Sequence, residues 1–381
     1  MAQKMKKKLK ILFLMEFFSF LGGTEYGNYN LISGLKALGH DIKVCVGERL
    51  SYDIWAKMIR ALDIELFVSS KPYDTTESLE RDTQFADSVV VPLIKSWRPD
   101  LIYSHPPGKL LIALMNKCPD LDIPIAALEY TVPDKNTKDW HHPGLLAVQQ
   151  RISAYIAKCG EAERGIRDYF GYKGPIYRLP NLIAKVPEGA DVLTGELLSV
   201  GCIGRLSPEK GIGFLLGAWK EVAAKVPSAT LHFYGHGMYE DYYKKLAEAL
   251  GIGDSVYFEG TFQPISGLDS VAKKHKIFVQ PSLFESMPNS LIELLLRKKA
   301  LIATEAGGIP ELIHPEKGEG ILVKAGSTDD LSDAILRLVQ NESLADSMAS
   351  KSQKAAAEIY DYKRNLLNYE KVLFDICFKE A

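Results

Sequence analysis

Two glutamates, Glu285 and Glu293, offer the clearest chemistry in the sequence. Glu285 follows the apolar run 276–281, and Glu293 lies about one turn into a helix that the stretch from Pro288 onward predicts. The start of such a helix leaves backbone N–H groups free at the positive end of the helix dipole, which suits a diphosphate without a metal. Glu293 can accept hydrogen bonds from ribose hydroxyls, and Glu285 would stand beside a sugar. The alternative is a surface loop glutamate and an ordinary acid in a first helical turn.

Two cations, Arg205 and Lys210, follow the first predicted strand of the second half of the chain. They lie in the motif Gly-Arg-Leu-Ser-Pro-Glu-Lys-Gly at 204–211, where Ser207 and Pro208 are predicted to cap the next helix. Ligands of α/β sheets bind at the carboxyl ends of the strands, so both cations would face a ligand. Arginine donates forked hydrogen bonds and lysine adds a compact charge, so the pair can neutralise a leaving diphosphate. The alternative is a solvated basic loop in which Arg205 pairs with a carboxylate.

Glycine turns follow several of the predicted strands. The turn at 22–25 would let the backbone approach a phosphate or sugar closely. It does not match the dinucleotide fingerprint Gly-x-Gly-x-x-Gly, because Thr24 and Glu25 stand where the second glycine is needed. A nicotinamide dehydrogenase is therefore disfavoured. The glycine turns at 234–237 and 305–311 are open to the simpler reading of tight turns.

Short apolar runs alternate with helical patterns along the whole chain. Several runs are apolar at successive positions, as strands covered on both faces are, and the alternation predicts parallel sheets in an α/β architecture. At roughly 150 residues per domain, 381 residues indicate two domains. The segment 181–197 lacks a clear period and predicts the boundary between them. The predicted strands are 9–16, 41–47, 64–69, 101–105, 123–129, 154–158, 176–179, 198–205, 229–234, 256–260, 276–281, 301–304 and 320–323, and the predicted helices include 26–38, 215–225 and 327–339.

Composition excludes several classes of protein. Hydrophobic residues make up 46% and the net charge is −2, so the chain is neither disordered nor a general binder of nucleic acid. Five cysteines without a Cys-x-x-Cys pair indicate buried thiols in a reducing compartment. The N-terminal lysines precede a short apolar run that Glu16 interrupts, which indicates a basic lead-in to a buried strand rather than a signal peptide. This lysine cluster is either a solvated tail or a contact with an anionic membrane surface.

Together these motifs resemble those of the retaining nucleotide-sugar glycosyltransferases with the GT-B fold, in particular the large family 4, the group 1 glycosyl transferases. The resemblance covers nearly the whole second half of the chain and is thinner in the first half. It implies two Rossmann-like domains with a deep cleft between them. Residues 1–185 would bind the acceptor, residues 196–357 would bind the donor, and a C-terminal helix at 358–381 would cross back to the first domain. The matching motifs lie at 22–25, 204–211, 234–237 and 307–311, with Glu285 and Glu293 between the last two.

The resemblance also implies roles for individual residues. Arg205 and Lys210 would bind the donor diphosphate, Glu285 the sugar hydroxyls and Glu293 the ribose, with Arg205, Lys210 and Glu285 as the catalytic set. No metal and no cofactor are expected, and the leaving phosphate oxygen would take the proton of the attacking hydroxyl on the same face. Further donor contacts are expected at Gly23, Gly237, Asn289, Ser290 and Leu291.

One departure from the family pattern concerns a histidine near the donor sugar. After the strand at 123–129, where many relatives have this histidine, the chain has Glu129 and Tyr130. Glu129 and His105, which ends the preceding strand, are the two candidate substitutes and possible sugar or acceptor contacts; for His105, a packing or capping role is the alternative. His141 and His142 lack the spacing of metal ligands and are assigned to a loop bordering the acceptor cleft.

The predicted function is therefore the transfer of a hexose-type sugar, with retention, from a UDP- or GDP-sugar to a hydroxyl acceptor. The acceptor would be a glycan, glycolipid or other glycoconjugate, in polysaccharide synthesis in the cytoplasm or at the inner face of the membrane. Two alternatives stay open: a nucleotide-sugar epimerase of the same fold, and a non-catalytic subunit that binds the nucleotide sugar.

Overall fold

The chain folds into two compact units. The first consists of Met1–Leu182 with Tyr362–Ala381, and the second of Ile183–Asp361. The computed structural model describes residues 7–16, 18, 22–48, 53–69, 79–134, 141–183, 195–262 and 264–378. Most of the predicted boundary at 181–197, namely residues 184–194, lies outside the described residues.

Within the described residues, the first unit contains a seven-stranded sheet in the order β3-β2-β1-β4-β5-β6-β7. Every neighbouring pair is parallel. The strand order reverses between β1 and β4, and such a switch point is where α/β sheets bind ligands. The strands are β1 (Lys10–Met15), β2 (Asp41–Val46), β3 (Glu65–Val68), β4 (Leu101–His105), β5 (Ile125–Glu129), β6 (Ala154–Ala157) and β7 (Ile176–Arg178).

The described part of the second unit contains a six-stranded parallel sheet in the order β10-β9-β8-β11-β12-β13. Here the order reverses between β8 and β11, so the loops after these two strands flank the switch point. The strands are β8 (Glu196–Ile203), β9 (Thr230–Tyr234), β10 (Val256–Gly260), β11 (His275–Gln280), β12 (Ala300–Thr304) and β13 (Ile321–Val323).

Helices connect the parallel strands, as a parallel sheet requires. No helix in the described part of the chain is long and apolar enough to span a bilayer. The first unit has α1 (Gly23–Ala37), α2 (Asp53–Arg60), α3 (Glu80–Phe85), α4 (Val91–Trp97), α5 (Lys109–Lys117), α6 (Leu145–Val148), α7 (Gly160–Asp168) and the C-terminal α14 (Tyr362–Phe378). The second unit has α8 (Ile212–Lys225), α9 (Glu240–Ala249), α10 (Pro264–Ala272), α11 (Asn289–Leu296), α12 (Thr328–Val339) and α13 (Glu342–Ile359).

The predicted α/β fold with two parallel sheets is confirmed, and each predicted strand is present with ends shifted by at most two residues. Successive buried positions made these strands visible, because both faces of each sheet are covered. In β1, for example, only the first of six residues is exposed. Helix starts were predicted less well: α1 begins at Gly23 rather than at residue 26, and α8 at Ile212 rather than at 215.

The C-terminal helix α14 packs within the first unit. Tyr369 and Leu373 are buried in the core formed by the strands of that unit. The Tyr362 hydroxyl donates a hydrogen bond of 2.9 Å to the Asn30 carbonyl oxygen on α1. The apolar spacing that predicted this helix included Tyr360, which was wrong: the side chain of Tyr360 is buried in the core of the second unit, and α14 begins two residues later.

Candidate functional site

The loop at 281–287, which carries Glu285, is fixed to two neighbouring loops by backbone hydrogen bonds. The Leu283 N–H donates to the Glu209 carbonyl oxygen at 2.8 Å. The Gly308 N–H donates to the Ser286 carbonyl oxygen at 2.7 Å. These bonds join the loops that follow β8, β11 and β12, so three strand ends are held together around Glu285.

Two glycines allow these loops to approach one another. Gly307 has a φ of +56°, and a methyl group added there would lie 1.6 Å from the Glu285 carbonyl oxygen. Gly211 has a φ of +67°, and a methyl group there would lie 1.9 Å from the Pro281 carbonyl oxygen. Both positions combine a left-handed backbone with a contact that leaves no room for a Cβ atom. The backbone around Glu285 is therefore clamped from two sides.

The Lys210 ammonium forms an ion pair with Glu285 Oε1. Ser282 Oγ donates to the same oxygen at 3.0 Å, and Gln280 Nε2 lies 3.4 Å from it. The Lys210 and Glu285 side chains are only 19% and 9% exposed, so water screens the pair weakly. No described residue donates a hydrogen bond to Glu285 Oε2, which leaves this oxygen able to accept one from a hydroxyl group.

Arg205 is placed differently from Lys210. Its side chain is 66% exposed, and its Nε lies 4.0 Å from Glu209 Oε1. That carboxylate oxygen already accepts a hydrogen bond of 2.6 Å from Ser207 Oγ. Most of the five N–H donors of the guanidinium thus remain available for an anion at the end of β8.

The helix cap predicted in this loop is wrong. Gly211, and not Ser207 or Pro208, is the N-cap residue of α8. Ser207 instead precedes a single 3-10 turn, Pro208–Lys210, and its hydroxyl bonds to Glu209 rather than to a helix N–H group. The extra turn places Lys210 two residues before the first residue of α8, where its ammonium pairs with Glu285.

The glycine turn after β9 packs against the Arg205 loop. The Leu206 N–H donates to the His236 carbonyl oxygen at 3.1 Å. A methyl group added at Gly237 would lie 2.2 Å from the Leu206 carbonyl oxygen, so this position also requires glycine. Gly237, a predicted donor contact, thus supports the backbone next to Arg205.

Helix α11 begins beside this site without a capping side chain. Its N-cap residue is Pro288, which makes no side-chain cap hydrogen bond, so Asn289 and Ser290 are not the cap residues that the sequence predicted. Asn289, Ser290 and Leu291 form the first turn, as their predicted role as phosphate contacts requires. A helix start is suited to an anion, because its first backbone N–H groups have no acceptor within the helix and lie at the positive end of the helix dipole.

Glu293 lies one turn into α11, half-buried. Burial raises the pKa of its carboxyl group to about 7, with Arg297 lowering it and Asp269 raising it. Arg297 does not neutralise Glu293, because its Nε lies 2.6 Å from Asp269 Oδ1 and its Nη1 donates to the Glu293 carbonyl oxygen. No described residue donates a hydrogen bond to the Glu293 carboxylate. The carboxyl group is therefore desolvated and has no hydrogen-bond donor among the described residues, which suits a carboxylate that binds a ligand.

Glu293→Gln should remove a pH dependence of stability. With a pKa near 7 in the folded state against 4.5 in the unfolded state, Glu293 lowers stability as the pH rises from 5 to 8. We expect the variant to match the wild type at pH 5 and to exceed it at pH 8 by on the order of 1 kcal/mol after screening by solvent. Urea unfolding at both pH values measures this, with the exposed Glu248→Gln as control. An equal gain in the free energy of unfolding at both pH values would refute the raised pKa of Glu293.

Comparison with known proteins identifies the second unit. The profile of the family described as glycosyl transferases group 1 matches residues 194–355. The second unit is a group 1 glycosyltransferase domain. Among curated relatives, poly(ribitol-phosphate) alpha-N-acetylglucosaminyltransferase of Staphylococcus aureus (strain COL) is 29% identical over 42% of this chain and 32% of its own length. A GDP-mannose-dependent alpha-(1-6)-phosphatidylinositol monomannoside mannosyltransferase of Mycobacterium tuberculosis (strain CDC 1551 / Oshkosh) is 28% identical over 41% of this chain and 42% of its own length. The chain matches only 30–53% of the length of the first curated relatives.

Solved structures match almost the whole chain and show the fold. Anabaena Alr3699/HepE in complex with UDP aligns with a TM-score of 0.78 and 19% identity over 96% of this chain and 100% of that chain. Sucrose-phosphate synthase from Thermosynechococcus elongatus aligns with a TM-score of 0.80 and 15% identity over 96% of this chain and 99% of that chain. The chain has the GT-B fold, with one Rossmann-like sheet in each unit.

Outside the glycosyltransferase domain, His105 is a buried residue at the end of β4. Its Nδ1 lies 2.5 Å from Asn28 Nδ2 on α1, and its ring meets Tyr130 edge to face at 5.2 Å. Burial, together with the charge of Lys158, lowers the pKa of His105 to about 3, so the ring is neutral at pH 7. Among the described residues its Nε2 has no hydrogen-bond partner. The His105 ring therefore packs against Tyr130, and its Nε2 has no hydrogen-bond partner among the described residues.

Glu129 is fully buried at the end of β5 and is occupied by protein groups. Its Oε1 accepts hydrogen bonds from the Thr131 N–H at 2.9 Å and the Thr131 hydroxyl at 2.6 Å. Its Oε2 lies 3.2 Å from His141 Nε2. These bonds fix the backbone after β5 and hold His141, which like His142 lies in a loop. Within the described ranges, no three His, Cys, Asp or Glu side chains are grouped closely enough to hold a metal ion.

Gly23, the predicted phosphate contact of the first unit, is the first residue of α1. The N-cap residue of α1, Gly22, makes no side-chain cap. A methyl group added at Gly22 would lie 2.9 Å from Glu25 Oε2. Three residues that contribute to these sites escaped the sequence analysis: Gln280 and Ser282, which hold Glu285, and Lys158, beside His105. Gln280 and Ser282 could have been found from the sequence, because polar residues alternate with Pro281 at the end of β11.

Proposed function

We propose that the protein transfers a hexose-type sugar from a UDP- or GDP-sugar to a hydroxyl acceptor, with retention and without a metal ion. The observation that carries the proposal is the Lys210 ammonium, held by Glu285 next to the exposed Arg205 at the switch point of the second sheet. The printed names of the relatives support it, since one uses GDP-mannose and a solved structure of the same fold binds UDP.

The geometry suits the departure of a nucleoside diphosphate. Arg205 and Lys210 would neutralise the charge that develops on the leaving oxygen, and the positive end of the α11 dipole would receive the phosphates. Glu285 Oε2 would accept a hydrogen bond from a sugar hydroxyl, and Glu293 would hold the ribose. The bond from the anomeric carbon to the diphosphate breaks as the acceptor oxygen bonds to the same face. The acceptor proton passes to the leaving phosphate oxygen, so no side-chain base is needed.

We assign the acceptor, a glycan or glycolipid, to the first unit, where His105 Nε2 lacks a described partner at the end of β4. A reducing, cytoplasmic location is also part of the proposal, with or without contact with the inner membrane face. It is supported by the five cysteines, none of which forms a disulfide.

Nucleotide binding provides the first test. We expect UDP or GDP to raise the melting temperature of the wild type, because a ligand that binds the folded state stabilises it. The increase should be lost in Arg205→Ala and kept in Lys220→Ala, which removes an exposed cation from α8. The proposal would be contradicted if neither UDP nor GDP raised the melting temperature, or if NAD raised it instead. With the matching nucleotide sugar, NMR of the product should show the donor's anomeric configuration, and EDTA should leave the rate unchanged.

A further inference from the structure

Three apolar side chains project from the glycosyltransferase domain, starting one residue after Gly237. Met238 is 90% exposed, Tyr242 58% and Tyr239 38%. The rings of Tyr239 and Tyr242 lie 6.4 Å apart and perpendicular to each other. We call Met238, Tyr239 and Tyr242 the exposed ledge. Large apolar side chains grouped on a surface usually mark a binding site.

The exposed ledge is attached to the loop that carries Arg205. The Tyr239 N–H lies 3.4 Å from the Leu206 carbonyl oxygen, directly after Arg205 in the chain. Tyr242 packs at 5.4 Å against Tyr243, whose side chain is buried in the core of the domain. The ledge is therefore continuous with the proposed donor site and is held in place by the core beneath it.

The charges of helix α9 disfavour an anionic ligand at the exposed ledge. Helix α9 carries three acidic residues and two lysines, and so has a net charge of −1. Glu240 is paired with both His236 at 2.8 Å and Lys244 at 2.6 Å. An anionic membrane or a nucleic acid would find no excess of positive charge here.

We propose that the exposed ledge binds the neutral pyranose rings of a glycan; this inference rests on the proposed function. The C–H groups of a pyranose carry partial positive charge and pack on the negative face of an aromatic ring. Tyrosine provides such a face at low cost in side-chain entropy, and its hydroxyl group can bond to sugar hydroxyls. The ledge would hold such a glycan beside the proposed donor site of the same unit.

Saturation-transfer NMR on the full chain tests this binding with maltohexaose, cellohexaose and mannohexaose as probes. We expect saturable transfer from the wild type to at least one hexasaccharide, reduced at least threefold in Tyr242→Ala. The matched control is Tyr257→Ala, because Tyr257 is also exposed in the same domain, at 44%, but stacks on His232 at 4.8 Å and is not one of the ledge residues. This control should retain the wild-type signal.

Several results would overturn the assignment of the exposed ledge. They are the absence of transfer to all three hexasaccharides, an equal loss in both variants, and a Tyr242-dependent binding to phosphatidylglycerol vesicles or self-association instead. Melting curves with UDP and GDP on the same preparations separate the two proposals. A retained nucleotide shift without glycan binding contradicts the ledge alone, whereas loss of the shift in the wild type contradicts the proposed function.

Discussion

Lys210→Ala is expected to lower kcat by at least about 100-fold, because removing one preorganised group that stabilises leaving-group charge commonly costs 10²- to 10³-fold. Lys210 is the cation that the structure fixes in place, since its ammonium bonds to Glu285 and is largely shielded from water. Steady-state rates with the matching nucleotide sugar measure the effect, and Lys220→Ala is the control for loss of a positive charge. Full activity in Lys210→Ala would refute the role of this residue.

A double variant separates charge from packing in this pair. Lys210→Ala leaves the Glu285 carboxylate, 9% exposed, without its cation, so the single variant should also lose stability, by about 1 to 3 kcal/mol. Adding Glu285→Gln removes the uncompensated charge and should restore most of the lost melting temperature. It should not restore turnover, because the cation is still missing and the Glu285 carboxylate proposed to bind the sugar is also replaced. Recovery of both together would show that Lys210 acts only through folding.

The sequence predicted that Lys210 and Glu285 serve one site, but it did not predict their direct ion pair. Both residues were predicted to serve one site, since each follows a strand of the same parallel sheet. They are 75 positions apart, however, and no local pattern states which side chains touch across the switch point. The direct ion pair thus depends on the lateral order of β8 and β11, which only the folded sheet determines.

Predictions made from local residue types failed where tertiary contacts determine the structure. Ser207 and Pro208 have the types expected of helix caps, yet the chain inserts a 3-10 turn because Gly211 can adopt a left-handed conformation. Tyr360 fits the apolar spacing of α14, yet its side chain is buried in the second unit. Each of these outcomes depends on neighbours that are distant in sequence or absent from the motif.

Gly307→Ala is expected to abolish turnover and to destabilise the glycosyltransferase domain by about 3 kcal/mol or more, combining left-handed strain with steric overlap. The overlap is severe, because the added methyl group would lie 1.6 Å from the Glu285 carbonyl oxygen and displace the loop that carries the carboxylate. Gly251→Ala is the matched control: its φ is +74°, but no atom lies within 4 Å of the added methyl group. It should therefore show only the backbone cost, about 1 kcal/mol, and keep its activity. Urea unfolding measures the loss of stability in both variants, and steady-state rates measure the loss of turnover. Equal effects at the two positions would mean that the contact with Glu285 does not hold the site together.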